Sequence, residues 1–302
     1  MYDRVDRVLI EDESLRDGLQ IERRLFSLDE KLRFIDGMVA CGVRRIQVGS
    51  FVHPKKVPQM ADTDALFARL KPVDGVTYSA LVLNDRGLDR ALAAGVGHLS
   101  LSLSASETHS RKNTGMTLDQ AKAQVMPMIA RALEAGIAVR AGIQSALGCG
   151  YGGDVPLARV CAIAAAYADL GVKEINIADT AGLGHPRSVH ETVTAVQTAV
   201  GPGVALSLHL HDTRGLGLAN MVAGLQAGVA TFDAALAGLG GCPFVPNAAG
   251  NIATEDAAHA LEAMGVDTGI DWRGLAALSL EMERILDRRL PSRMAQVVKA
   301  AA

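Results

Sequence analysis

The sequence predicts an α/β protein, a (βα)8 TIM barrel with a C-terminal helical extension, from three observations. Eight short β-rich runs recur along the chain, helical apolar spacing fills most of the intervals, and several helices end in the same way. The β-rich runs cover residues 7–11, 44–49, 77–83, 97–103, 137–143, 174–178, 204–210 and 231–236. Helical spacing marks 29–40, 118–135, 156–170, 186–200 and 217–227. The shared endings are Ala40-Cys41-Gly42-Val43, Ala94-Gly95-Val96, Ala135-Gly136-Ile137, Leu170-Gly171-Val172 and Ala227-Gly228-Val229. In each, a glycine after the last helical turn supplies a left-handed cap and the next apolar residue opens a strand. This repeat over about 250 residues fits a parallel barrel whose loops after the strands build an active site at one mouth. An open doubly wound sheet is the other arrangement, but no Gly-x-Gly-x-x-Gly follows the first strand. No linker or low-complexity segment divides the chain, so residues 1–302 read as one catalytic domain. Residues from about 271, with Leu275, Leu278, Leu280, Met282, Ile285 and Leu286, read as a helical appendix.

The 302 residues suffice for one large core or two small ones, and 49% hydrophobic content against 4% aromatic favours a single aliphatic core. A net charge of -3 gives no basic field for a polyanion, which argues against nucleic acid as a partner and leaves a small anionic substrate open. Cys41, Cys149, Cys161 and Cys242 lack Cys-x-x-Cys spacing, against a disulfide framework or a structural zinc site and in favour of a reducing compartment. Residues 1–10 put charges where a secretory signal needs an apolar core, and no apolar run approaches the roughly 18 residues of a membrane span. The expectation is a soluble, cytoplasmic protein with no membrane partner.

His209 and His211 lie two apart in a strand, so alternation puts both imidazoles on one face and the flanking leucines on the other. At the C-terminal end of a barrel strand that face is the mouth, and the pair reads as metal ligands. Asp17, directly after the first strand, is brought near them by barrel closure, and Asn251 is a fourth candidate. Two imidazoles, a carboxylate and an amide oxygen form a mixed nitrogen and oxygen site that suits Mg²⁺ or Mn²⁺, with zinc as the alternative. Cys242 sits among Gly238, Gly240 and Gly241, where backbone can fold over a ligand and move. It reads as a catalytic acid or nucleophile, while Cys41 and Cys161 read as inert buried thiols.

Six segments together resemble the hydroxymethylglutaryl-CoA lyases. They are Arg16-Asp17-Gly18-Leu19-Gln20, Ser50-Phe51-Val52-x-Pro54-Lys55-x-Val57-Pro58-Gln59-Met60, Ala146-Leu147-Gly148-Cys149, Asp179-Thr180-x-Gly182, His209-x-His211-Asp212-Thr213, and the loop from Gly238 to Phe244. The resemblance covers residues 8–298, and the cysteine loop is its most specific part, because Claisen-type synthases on such barrels are not expected to carry it. It implies retro-Claisen cleavage of a 3-hydroxyacyl-CoA, with 3-hydroxy-3-methylglutaryl-CoA giving acetyl-CoA and acetoacetate, and a homodimer. It also implies Asp17, His209, His211 and Asn251 as metal ligands and Arg16, Gln20, Ser50, Asn176 and Thr180 on the substrate. Cys242 then serves as acid, since a nucleophile has no step to perform, and His209 or Asp179 serves as base.

Three positions depart from the family pattern. Gln47 stands where a glutamate is usual, Asn176 where serine is common, and Gly142 where a tyrosine is often found. They bear on the acyl group more than on the reaction and leave citramalyl-CoA or an isoprenoid hydroxyglutaryl-CoA as alternatives. A Claisen-type synthase and a non-catalytic metal-binding barrel are the other readings. Arg111-Lys112-Asn113 reads as a solvated loop, with a phosphate contact as the alternative.

Overall fold

The computed structural model describes residues 5–242 and 245–301, and the side chains of 242 and 245–248 lie outside the description. Eight parallel strands close into a barrel in sequence order: β1 (Leu9–Asp12), β2 (Arg45–Ser50), β3 (Thr77–Leu81), β4 (His98–Ser104), β5 (Ala138–Gln144), β6 (Glu174–Ala178), β7 (Ala205–His209) and β8 (Thr231–Ala234). The β1 strand pairs with both β2 and β8, which completes the ring and leaves no free edge. Between the strands run α1 (Leu28–Ala40), α2 (Thr63–Arg69), α3 (Asp85–Ala93), α4 (Glu107–Thr114), α5 (Leu118–Glu134), α6 (Leu157–Asp169), α7 (Pro186–Val200) and α8 (Gly217–Gln226). After β8 a short antiparallel pair, β9 (Gly241–Cys242) and β10 (Val245–Ala249), leads into α9 (Thr254–Ala263), α10 (Trp272–Leu286) and α11 (Arg293–Ala301). No described helix is long and apolar enough to cross a membrane.

Gly42, Gly95, Gly136, Gly171 and Gly228 all adopt positive φ, as the repeated helix ending requires. Residues 111–113 lie on α4, so they form part of a helix and not a loop. The helix is fixed at its start by the Ser106 hydroxyl, which accepts from the His109 N–H, and at its end by Gly115 in the left-handed region.

Strand alternation divides the barrel chemically. Leu99, Leu101 and Leu103 of β4, Ile175 and Ile177 of β6, and Leu206 and Leu208 of β7 are buried in the apolar layer beneath the helices. The other face of each strand points into the barrel and is polar. Arg45 on β2 reaches across to Glu174 on β6 at 2.8 and 2.9 Å, and Arg140 on β5 meets Glu11 on β1 at 3.0 Å. Barrel interiors are ordinarily packed with branched aliphatics. Here ion pairs between opposite strands fill that space.

Asp12, at the end of β1, ties the start of the chain to its end. Its carboxylate accepts from the Ser14 and Leu236 N–H groups, both at 2.9 Å, and from the Thr254 hydroxyl at 2.6 Å. Next to it Glu255 accepts from the Ala237 N–H at 3.1 Å and the Ser279 hydroxyl at 2.6 Å, joining α9, α10 and the turn after β8. Ala237 holds a positive φ of 61°, a costly conformation for an L-residue that persists because its surroundings hold it.

Burial lifts the Glu255 carboxyl from its ordinary 4.5 to about 7, against the hydrogen bonds from Ser279 and Ser292. Between those two values the unfolded chain has released this proton and the folded chain has not, so stability falls as pH rises through the window and levels off above it. Glu255→Gln, which keeps the size of the side chain, should remove that fall, a gain of roughly 3 kcal/mol at most by pH 7. Urea unfolding of both proteins from pH 4.5 to 8 checks this, and parallel pH profiles refute it.

Candidate active site and metal centre

A cavity of about 1230 Å³ opens at the C-terminal mouth of the barrel, and its wall includes Arg16, Asp17, Asn176, Thr180, His209 and His211. Arg16 and Asp17 stand on a single π-helical turn, Ser14–Gly18, directly after β1. Such turns widen the helix and re-aim side chains. The Arg16 guanidinium is held by Glu13, by the Gln47 side-chain oxygen, and by Asp17 at 2.6 Å. Gln20 donates to the same Asp17 oxygen at 2.8 Å.

His209 ends β7 and His211 follows two residues later, bridged to Asn251, and both line the cavity. His209 Nδ1 lies 3.2 Å from Asp233 and 3.5 Å from Glu13, which places its proton on that nitrogen and leaves the Nε2 lone pair toward the cavity. His209 Nε2 and His211 Nε2 are 3.0 Å apart. Burial, with His209 beside it, depresses His211 to about 3, so its imidazole is neutral. Burial disfavours the charged form of His209, but the Asp233 hydrogen bond and the Glu13, Asp233 and Asp17 charges outweigh it and raise its pKa. Burial likewise works against ionised Asp17, yet Arg16, the two histidines and Asn251 hold its carboxyl down to about 2.

Asn251 reaches this cluster through the loop after β8. It donates to Asp17 at 2.8 Å and to the Leu239 carbonyl at 3.1 Å. The approach depends on two glycines. A Cβ at Gly250 would stand 2.4 Å from the Gly241 nitrogen, and one at Gly240, whose φ is +104°, would stand 2.8 Å from the Asn251 amide.

This arrangement fits a divalent cation. Ligand atoms of Asp17, His209 and His211 all lie within 4.8 Å of one another. The Asn251 side-chain oxygen and His211 Nδ1 are buried without hydrogen-bond partners among the described residues. Two facing imidazole lone pairs repel unless a cation or proton lies between them. The charges agree: in the connected network Glu11, Glu13, Asp17, Glu174 and Asp233 oppose Arg16, Arg45 and Arg140, an excess of two negative charges. Glu13, His209 and Asp233 form a second close cluster, but Arg16 and Arg140 already engage its carboxylates.

The structure leaves two of the residues expected from sequence away from the cavity. The Asp179 carboxylate accepts from the Leu183 N–H at 2.8 Å and the Gly184 N–H at 3.0 and 3.1 Å, and so pins the loop after β6. Burial raises its pKa. Ser50 is buried and donates to the Leu81 carbonyl at 3.1 Å. Thr180 lines the cavity, and its hydroxyl accepts from the Ser145 N–H at 2.9 Å. Asn176 is anchored by Ser207 and Asp233, each at 3.1 Å. Cys242 lies on the strand that pairs with β10 above this mouth, and its side chain falls outside the described residues.

Sequence reasoning missed Glu13, Arg140 and Asp233, which orient Arg16 and His209. The signal was present as charged residues at alternate positions of strands that are otherwise apolar. It also missed the rim, where Arg288, Arg289 and Pro291 from the segment after α10 join the wall.

Asp233 holds His209 through Nδ1, the ring nitrogen opposite the one that meets His211. Asp233→Asn should therefore weaken binding of Mn²⁺ by roughly 10- to 100-fold, the usual effect of losing a carboxylate behind a ligating histidine. Calorimetric titration measures it, and unchanged affinity would remove Asp233 from this role.

Comparison with known proteins agrees with the geometry. The family model described as HMGL-like matches residues 7–280. The chain is 37% identical to a hydroxymethylglutaryl-CoA lyase of Bacillus subtilis, over 98% of each chain. It is also 37% identical to a 3-hydroxy-3-isohexenylglutaryl-CoA/hydroxy-methylglutaryl-CoA lyase of Pseudomonas aeruginosa, over 95% of each. The crystal structure of hydroxymethylglutaryl-CoA lyase from Pseudomonas aeruginosa superposes with a TM-score of 0.95 at 35% identity, covering all of both chains. With the barrel, the ligand cluster and these matches in agreement, the chain belongs to the HMGL-like family.

Proposed function

We propose that this chain is a divalent-metal-dependent carbon–carbon lyase that cleaves a 3-hydroxyacyl-CoA such as 3-hydroxy-3-methylglutaryl-CoA to acetyl-CoA and acetoacetate. The observation that carries the reading is the convergence of Asp17, His209 and His211 beside Arg16 at the barrel mouth, in a network two positive charges short of neutrality.

Asp17, His209, His211 and Asn251 would hold the ion, and the oxygen-rich half of this donor set favours Mg²⁺ or Mn²⁺. Bound there, the ion lowers the pKa of a coordinated hydroxyl and orients it. The substrate's hydroxyl proton leaves toward the Glu13 and Asp233 carboxylates, which line the cavity beside His209, while His209, with Nδ1 protonated toward them and Nε2 on the ion, orients the hydroxyl. The C2–C3 bond breaks, C3 becomes a ketone carbon, and its electron pair passes into the thioester as an enolate. Arg16, fixed by Glu13, Asp17 and Gln47, offers its guanidinium to that developing charge without having to reorganise. Cys242 returns a proton to C2, a role assigned from the family resemblance of its glycine loop. Gln20, Asn176 and Thr180 contribute to the substrate wall.

Purified protein with Mg²⁺ or Mn²⁺ and a panel of 3-hydroxyacyl-CoA thioesters should release acetyl-CoA. No turnover of any member by metal-loaded protein would sink this function. Cys242→Ala should lower turnover by roughly 10²-fold or more with metal content unchanged, as expected for loss of a general acid. A near-normal rate would remove the thiol from the mechanism.

A further inference from the structure

The wall opposite the metal ligands is built differently from the rest of the cavity. It is formed where β4 meets β5, by Ser102, Gly142 and Gln144. Ser102 lies beside Gly142 in register, and Gly142 beside Asn176. With no side chain at 142 the cavity reaches the backbone of β5 there, where a Cβ would already meet Ser102 Cβ at 3.0 Å. The Ser102 hydroxyl and the Gln144 amide have no hydrogen-bond partner among the described residues. Every polar neighbour lower in the barrel is engaged: Asn176 by Ser207 and Asp233, and Arg140 by Ser100, Glu13, Glu11 and Asp233. Since Arg140 is fully occupied, this wall offers neutral hydrogen-bonding groups and no available positive charge.

We infer that this wall receives the substituent on C3 of the acyl group, and that it selects a chain several atoms longer than methyl carrying a neutral hydrogen-bonding group. The inference rests on the lyase reading above. The C3 hydroxyl faces the metal ligands on β1, β7 and the loop after β8, and of the groups on the far side of that carbon the uncharged substituent is the one suited to a wall at β4 and β5 with no free positive charge. Ser102 and Gln144 are half-buried and unpaired, so a ligand that covers this wall must replace their contact with water by hydrogen bonds, and one that cannot is disfavoured by more than an extra methylene is worth.

The test compares three thioesters of 3-hydroxyglutaryl-CoA that carry methyl, n-butyl or 3-hydroxypropyl at C3, the last two matched in length. With the parent protein kcat/KM should be highest for hydroxypropyl, exceeding butyl by about tenfold. The double variant Ser102→Ala with Gln144→Leu should bring hydroxypropyl down to the butyl value. Gly142→Leu, whose Cβ would meet Ser102 Cβ at 3.0 Å, should lower both long substrates relative to methyl by about tenfold or more. The double variant preserves the test if Gly142→Leu does not fold. Preference of the parent for methyl, or ratios that none of these changes moves, overturns the inference and leaves the lyase reading standing. Failure to cleave all three by metal-loaded protein overturns both.

Discussion

The Arg140 guanidinium is the interaction on which the rest of the molecule depends. It extends from β5 across the barrel axis and meets carboxylates from β1 and β8, the two strands whose pairing closes the ring. Burial alone would favour a neutral arginine, but Asp233, Glu11 and Glu13 together raise its pKa well above the ordinary value. A buried ion network of this size is a poor source of net stability, because desolvation offsets most of the attraction. Removing one member, however, leaves charges stranded in a dry interior. The network therefore works as a constraint on how the strands meet across the barrel, and each carboxylate it holds is fixed in place.

That constraint explains how the candidate site can be assembled from opposite ends of the chain. Asp17 and Asn251 are 234 residues apart and joined by a 2.8 Å hydrogen bond. Glu13 links them to the barrel core, since one of its oxygens engages Arg140 and the other engages Arg16. Asp233 does the same for β8, bonding Arg140 on one side and His209 on the other. The ligand-cluster residues are held by charged side chains of the same barrel interior, and the rigidity of the site comes from these ion pairs. The surplus of negative charge in this network and the convergence of ligand atoms are one feature seen twice. A cation is the remaining element that would balance the interior.

Much of the fold was legible in the sequence because its signals are local. A glycine at positive φ between a helix and a strand is a steric requirement of the chain within a few residues, and all five such endings adopt it. The His-x-His spacing was legible for the same reason, as strand alternation is local. What was not legible was which polar residues meet. Glu11, Arg45, Arg140, Glu174 and Asp233 look like scattered charges until closure puts β2 opposite β6 and β5 against β1 and β8. Asp179 shows the converse. Its place at the end of a barrel strand suggested chemistry, but one step of alternation turns it away from the mouth, and its oxygens are taken by the backbone of its own loop.

The departures from the family pattern take on meaning from the same network. Gln47 stands where the resemblance implies a glutamate, and the amide serves both sides of its position: its oxygen accepts from Arg16 and its nitrogen donates to Ser100 at 3.0 Å. A glutamate there could accept from Arg16 but would add a third excess negative charge and could bond Ser100 only as an acceptor. Ser100 in turn accepts from Arg140 at 3.2 Å, so the amide joins the two guanidiniums through a chain of hydrogen bonds without altering the balance of charge. The substitution thus keeps Arg16 in position while leaving the interior matched to a divalent ion. Gly142 and Ser102 lie one step higher on β5 and β4, beyond the reach of this chain, where the barrel can change shape without disturbing the charges that hold it closed.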